Sequence, residues 1–295
     1  MAIITEIPTE EYILKCTSAC AGCGDSLTLR YVLKAAGPDS VLVMPAGCTA
    51  AFQGIYPKTA YAVPVVNIAF GAAAACASGI SSLFQATGRK TRVIVYAGDG
   101  GTLDIGLQAM SGAFERRTDF LYICYDNEAY GNTGMQRSGA TPLGARTTTT
   151  PVGKTEMKKD IDAIIAAHNP PYQATASASY PQDLFRKVKK ALTFHGPTFI
   201  HVLSPCPPGW RYSSENTVEV GRLAVKSGMW ALWEREYGKL AISAPTKTAM
   251  KKPVPLEDYL SLQGRFKGID EKTVELLKEQ IAENFHSLAT REEAL

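Results

Sequence analysis

Two sets of residues in this 295-residue chain have types and spacings that do chemistry. The first begins with Gly98-Asp99-Gly100-Gly101, directly after the apolar run Arg92 to Ala97. Asn127 stands 28 residues beyond Asp99, where Asp126-Asn127 ends the apolar run Phe120 to Tyr125, and is followed by Glu128-Ala129-Tyr130-Gly131-Asn132. Glycines at a strand-to-helix turn let the backbone approach a phosphate, and the helix start offers free N–H donors. A carboxylate, an amide oxygen and a loop carbonyl are the hard ligands that Mg²⁺ takes while it bridges a diphosphate. A bare Gly-Asp-Gly is a common turn; the second strand end with its Asn is what makes the pattern specific.

The second set is sulfur. Seven cysteines stand at positions 16, 20, 23, 48, 76, 124 and 206. Cys20-Ala21-Gly22-Cys23 is a lone C-x-x-C, which by itself reads as half a zinc site, a redox dithiol or chance. Cys48 follows the break Pro45-Ala46-Gly47, and Cys206 lies in Pro205-Cys206-Pro207-Pro208. Cys76 and Cys124 lie in apolar runs and read as small core residues, and Cys16 reads as structural. Four thiolates from Cys20, Cys23, Cys48 and Cys206 suit a [4Fe–4S] cluster. The prolines beside Cys206 lack N–H groups, so few amide donors are expected near that sulfur, which keeps a cluster's potential low.

Short β-branched runs alternating with helical pattern must position these residues. Val41 to Met44, Arg92 to Ala97, Phe120 to Tyr125, Tyr172 to Ala176 and Thr198 to Leu203 read as strands, and Asp104 to Arg116, Lys158 to His168 and Pro181 to Leu192 as helices. This order predicts an α/β fold with a mostly parallel sheet covered by helices on both faces. Ligands in such sheets sit beyond the carboxyl ends of the strands. Cys48, Asp99, Asn127 and Cys206 all follow strands, so right-handed crossovers place them on one rim. Residues 131–154 read as a long loop. Lys154, Lys158 and Lys159 read first as a solvated helix start, with phosphate or coenzyme contacts as the alternative, and His201 as a satisfied core residue. Val63 to Phe84 is uncharged over 22 residues, but its many Ala, Gly and Ser point to an interior helix rather than a membrane span. Residues 1–237 are expected to form the ligand-binding domain. Residues 238–295 are expected to form an arm over that domain or a partner, with a helix from Asp270 to Phe285 and a frayed end.

A net charge of +3 excludes a strongly basic nucleic-acid binder. An odd cysteine count behind a charged, Pro-containing start predicts a reduced, cytoplasmic protein without a signal core.

The combined motifs resemble the β subunit of 2-oxoacid:ferredoxin oxidoreductases, the pyruvate synthase group that includes oxalate oxidoreductase. The resemblance rests on CxxCG at Cys20 to Gly24, PAGC at Pro45 to Cys48, GDG at Gly98 to Gly100, the stretch Asp126 to Gly144, and PCPPGW at Pro205 to Trp210. It implies a thiamine diphosphate-binding fold. Cys20, Cys23, Cys48 and Cys206 then bind a proximal [4Fe–4S] cluster, and Asp99, Asn127 and the Ala129 carbonyl hold Mg²⁺. Asp25, Gly98, Gly100, Gly101, Glu128, Tyr130, Gly131 and Cys48 line the cofactor, and Asn132 faces thiamine and substrate as the catalytic candidate. Asp25 stands where relatives often carry Glu, and Gly101 where fused-chain relatives are often aromatic.

The implied reaction is oxidative decarboxylation of a 2-oxoacid, pyruvate with coenzyme A ranking first, with electrons passing through the cluster to ferredoxin. Oxalate oxidation without coenzyme A is the alternative. A non-redox thiamine lyase with structural cysteines is a further one. The family's activating Glu comes from a separate pyrimidine-binding domain. About 60 residues remain here after the diphosphate module, too few for such a domain. Partner subunits are therefore expected, one supplying that Glu and one carrying further clusters.

Overall fold

In the computed structural model, residues 7–15 and 17–293 are described. Cys16, read above as structural, lies outside them, as do residues 294 and 295 of the expected frayed end.

The β-branched runs become strands because both of their faces find apolar cover. Strands β1 (Ser40–Pro45), β4 (Phe120–Asp126), β5 (Tyr172–Ser177) and β6 (Pro197–Leu203) are buried along their whole length. With β2 (Val65–Ile68), β3 (Arg92–Gly98), β7 (Trp233–Glu236) and β8 (Lys239–Ile242) they form one sheet, in the order β2-β1-β3-β4-β6-β5-β7-β8. The first six strands are mutually parallel, with pairings such as Val43↔Val66, Ile94↔Leu121 and Ile123↔Ile200. β7 and β8 run antiparallel at one edge.

The two-residue alternation of the strands sorts the core into two layers. One face places Leu42, Ile94, Ile123 and Ile200 against helices α1 (Gly24–Ala36) and α6 (Pro181–Ala191). The other places Val43, Val95, Tyr122 and Phe199 against α3 (Ala73–Ala86), α4 (Leu107–Glu115) and α5 (Ile161–Ala166). Between β1 and β2 runs the short α2 (Cys48–Gln53). After β6 come α7 (Pro207–Trp210) and α8 (Thr217–Lys226), and after β8 come α9 (Ala244–Lys251), α10 (Leu256–Ser261) and α11 (Glu271–Glu293). A third apolar cluster joins Leu203, Trp210 and Val220 to Leu256, Tyr259, Phe266 and Leu277, so the C-terminal segment seats on the end of the sheet.

Several expectations need correction. Val63 to Phe84 is not one interior helix: Val65–Ile68 pairs with β1, and the helix starts only at Ala73. That helix is also peripheral, burying Ala73, Ala74, Ala77 and Ser81 while Leu83 is exposed. The small residues fit close packing of one face only. Among the described residues no helix is long and apolar enough to cross a membrane. The stretch read as helical from Asp104 opens earlier, as a π-helical turn over Gly100–Asp104. The final helix continues to Glu293, where its Glu292 carboxylate accepts the Ile242 N–H of β8 at 2.8 Å.

Candidate cofactor and cluster site

The topology sets adjacent strands β1, β3, β4 and β6 side by side and parallel, so their carboxyl ends share one rim. Cys48, Asp99, Asn127 and Cys206 each follow one of these strands. The fifth contributor is the start of α1. There the Cys23 sulfur accepts the Ser26 N–H at 3.5 Å and acts as the N-cap. Gly24 N–H donates to the Pro205 carbonyl at 3.0 Å, and Thr217 Oγ1 donates to the Gly22 carbonyl at 2.7 Å. Both bonds bring Cys20 and Cys23 to the Cys206 loop.

Asp25, the third residue of that turn region, reaches across to β4. Its Oδ2 accepts the Asn127 Nδ2–H at 3.0 Å. Both residues are buried, and Asp25 Oδ1 and Asn127 Oδ1 have no partner. Two orphaned buried oxygens are costly unless a cation or donor meets them. Burial pushes the Asp25 carboxyl up to about 7, against the pull of the Asn127 hydrogen bond, and the Asp126 charge adds to the rise. Asp99 is also raised well above the usual carboxylate range, by burial first and then by Asp126. Its Oδ2 accepts from Ser138. A divalent cation reverses this cost, so the donor set fits Mg²⁺.

The glycines around these oxygens are spaces. A Cβ on Gly131 would lie 3.2 Å from Cys48 Sγ and 3.4 Å from Asn127 Nδ2, so the sulfur set and the oxygen set meet at this residue. A Cβ on Gly100 would lie 2.3 Å from the Tyr130 ring. Tyr130 itself donates to Asp104 Oδ2 at 2.8 Å, and the Gly101 face is closed by Phe70. Thr102 Oγ1 donates to the Gly98 carbonyl at 2.7 Å and ties the π-helical turn to β3.

The four sulfurs act on one another. Burial pushes the Cys48 thiol up, followed by the charge of Asp25 and then by Cys206, Cys23 and Cys20. Cys206 is pushed up to about 12 by burial and Asp25, with Cys20 adding to it. Cys20 is exposed and Cys23, Cys48 and Cys206 are part-buried beside the Asp25 charge, so thiolates gathered there need positive charge among them. A four-iron cube supplies it and takes one thiolate per iron, so the residues fit the group. Among the described residues no three His, Cys, Asp or Glu side chains close on a single-ion site. Pro207 and Pro208 start α7, whose N-cap Cys206 accepts no side-chain cap hydrogen bond, and Gly209 lies close beside its sulfur.

The remaining candidates are placed differently. Asn132 stands exposed at the tip of a tight hairpin closed by reciprocal bonds between Tyr130 and Gln136. Ala129 is buried. Glu128 adopts φ +62° and turns its carboxylate away, to Lys158 Nζ at 3.2 Å and Arg265 Nη2 at 2.7 Å. Cys124 is fully buried and Cys76 half-buried on α3.

The three lysines are not a solvated helix start. Lys154 donates to the Thr141 carbonyl at 2.6 Å, Lys158 pairs with Asp126 at 2.6 Å, and Lys159 pairs with Asp104 at 2.8 Å. Lys154 braces the 131–154 loop internally, Lys158 reaches the end of β4, and Lys159 reaches the π-helical turn.

Sequence reasoning gave no site role to Ser138, which donates to Asp99. It also missed that the Trp210 indole N–H bonds the Asn127 carbonyl at 2.8 Å. Ser138 lay inside a quoted motif, but only the fold turns its hydroxyl toward a residue 39 positions away.

A strand-end Asp and Asn beside a glycine turn define a thiamine diphosphate-binding module, and the thiamine pyrophosphate enzyme C-terminal TPP-binding domain matches residues 45–202. Pyruvate synthase subunit PorB of Methanocaldococcus jannaschii is 46% identical over 95% of this chain and 97% of its own. Ketoisovalerate oxidoreductase subunit VorB of Pyrococcus abyssi is 46% identical over 96% and 94%. The chain belongs to this family of 2-oxoacid:ferredoxin oxidoreductase β subunits. A solved structure of 2-oxoglutarate:ferredoxin oxidoreductase from Magnetococcus marinus, with 2-oxoglutarate, coenzyme A and succinyl-CoA bound, shares the fold. Its TM-score is 0.60 at 20% identity, over 92% of this chain and 97% of that one.

Proposed function

We propose that this chain is the catalytic β subunit of a heteromeric enzyme that oxidatively decarboxylates pyruvate and passes the electrons through a [4Fe–4S] cluster to ferredoxin. One observation carries the reading: Gly131 separates the Cys48 sulfur from the Asn127–Asp25 pair, so the sulfur and oxygen donor sets adjoin.

In this reading Asp99, Asn127 Oδ1 and the Ala129 carbonyl hold Mg²⁺, and Cys20, Cys23, Cys48 and Cys206 hold the cluster. Ser138 keeps the Asp99 carboxylate oriented, and Asp25 fixes the Asn127 amide so that its oxygen faces the metal. The glycines of the 98–101 turn let the Tyr125, Tyr130 and Phe70 rings pack against it, and in this reading the turn's backbone N–H groups meet the diphosphate. Asn132, at its exposed hairpin tip, meets substrate. When bound, thiamine diphosphate supplies the electron sink for carbon–carbon cleavage, and the cluster accepts electrons singly. Overall, a pyruvate anion and the coenzyme A thiol give acetyl-CoA, CO₂, one proton and two electrons, one to each of two ferredoxins.

All eight strands among the described residues join one sheet, of which the TPP-binding domain match spans residues 45–202. In this reading a partner subunit supplies the pyrimidine-binding domain with its Glu, and another the onward clusters. The expected setting is the cytoplasm.

The test is the anaerobically purified complex assayed with pyruvate, ketoisovalerate, 2-oxoglutarate and oxalate, with and without coenzyme A. About four irons per chain and coenzyme A-dependent turnover of pyruvate are expected. Turnover of oxalate alone, without coenzyme A, overturns the substrate assignment. Asp99→Ala is expected to abolish Mg²⁺-dependent thiamine diphosphate binding while leaving iron content unchanged. Unchanged turnover in that variant overturns the site.

A further inference from the structure

Arg265 belongs to the C-terminal segment, in a single 3₁₀ turn over Gly264–Phe266 that touches no proposed ligand. It is nonetheless 2% exposed, an unusual burial for a guanidinium. The turn is pinned on both sides. Gly264 N–H donates to the Arg211 carbonyl at 3.0 Å, and Arg146 N–H donates to the Arg265 carbonyl at 2.8 Å.

The guanidinium is used on its edge and on its face. On the edge, Nη2 lies 2.7 Å from Glu128 Oε2, in the residue next to Asn127. Nη2 also donates to the Tyr259 hydroxyl at 3.2 Å and Nε to Gln263 Oε1 at 2.9 Å. On the face, its central carbon stacks 3.8 Å from the ring centroid of Trp210, four residues beyond Cys206. The Trp210 indole N–H closes the triangle on the Asn127 carbonyl at 2.8 Å. One planar cation thus contacts both loops whose residues stand next to the two donor sets. Arg suits this dual use because its planar fork pairs and stacks at once, which an ammonium does not.

We infer that Arg265 is a positioning residue for both cofactor loops, locking the Asn127 loop to the Cys206 loop through Glu128 and Trp210 and setting a fixed positive charge beside the cluster. The inference rests on the cofactor reading above. A fixed cation stabilises the more negative, reduced cluster, so Arg265 raises its midpoint potential. Through Trp210 it also holds the strand end that presents Asn127 to Mg²⁺.

The test uses the full complex, purified without oxygen, carrying Arg265→Met, Arg265→Lys or Trp210→Phe. Iron content, an EPR-monitored redox titration, binding of Mg²⁺-thiamine diphosphate and a thermal melt are read on each. Arg265→Met is expected to keep its iron, to shift the midpoint to lower potential, and to bind the diphosphate about five-fold more weakly. Arg265→Lys is expected to restore the midpoint but not the affinity, because the charge returns without the fork.

Arg265→Met with a wild-type midpoint and wild-type affinity overturns the inference, even if its melting temperature falls. Should Arg265→Met lose its iron, Trp210→Phe decides. It keeps an aromatic face and both charges but loses the N–H and the second ring of the indole, so weaker diphosphate binding at an unchanged midpoint supports the role and unchanged binding overturns it. A wild-type complex without iron overturns the cofactor reading itself, and the inference with it.

Discussion

His201 was legible as a core histidine from its place inside a strand, but its partners were not. Its Nε2 meets Asp126 and its Nδ1 meets Asp162, each at 2.9 Å, and the residue is 2% exposed. Burial lowers its pKa, but the two carboxylates outweigh burial and hold it well above the usual histidine value. Removing one member of a buried charged set leaves the others unpaired, so His201→Gln is expected to cost about 3 kcal/mol in urea unfolding. The sign of the pH dependence follows from the raised pKa. The stabilisation is fully present below the unfolded histidine value and is lost as pH rises through the folded one. The gap between wild type and variant should therefore be widest below about pH 6.5 and narrow above it; a gap that widens with pH contradicts the ion-pair account. The three lysines show the same limit of reading by position. Their partners lie 13 to 56 residues away along the chain, which local polarity does not reveal.

At the scale of elements, the decisive junction is α1 against the loop after β6. A Cβ on Gly24 would stand 2.5 Å from the Pro205 carbonyl oxygen, a backbone atom that cannot swing aside. Gly24→Ala is expected to push Cys20 and Cys23 away from Cys206, with iron falling below stoichiometry and a lower melting temperature. Full iron in that variant refutes the junction's role. Pro207→Ala acts more gently: it adds an N–H at the first position of α7, next to the Cys206 sulfur, which accepts no side-chain cap hydrogen bond. A redox titration should show an upward drift, and none means that the new N–H points elsewhere. Strand and helix types were legible where runs were long and β-branched. Val65–Ile68 was missed because no charge or proline separates it from the following helix, and only pairing with β1 distinguishes a four-residue strand there.

For the whole molecule, the C-terminal segment is structural as well as peripheral. Leu256, Tyr259, Leu260, Phe266 and Leu277 share a core with Leu203, Trp210 and Val220. Deleting residues 244–295 strips the cover from Trp210 beside Cys206. The truncated chain is expected to lose its cooperative melt and its iron together; a sharp transition with full iron refutes the dependence. The β7–β8 hairpin extends the sheet across residue 237, so sheet and extension are continuous there.

The amino-acid sequence alone determined the α/β class, the rim and the identity of its ligand candidates. These follow from short-range signals: strand periodicity, breakers at strand ends, and residue types whose chemistry does not depend on neighbours. Only the tertiary structure decided that Asp25 meets Asn127, that Ser138 meets Asp99, and that Arg265 bridges two loops, because each is a contact between residues 39 to 137 positions apart. Such contacts are set by how the sheet stacks its strands and how the last helices close over its end, and no local pattern encodes them.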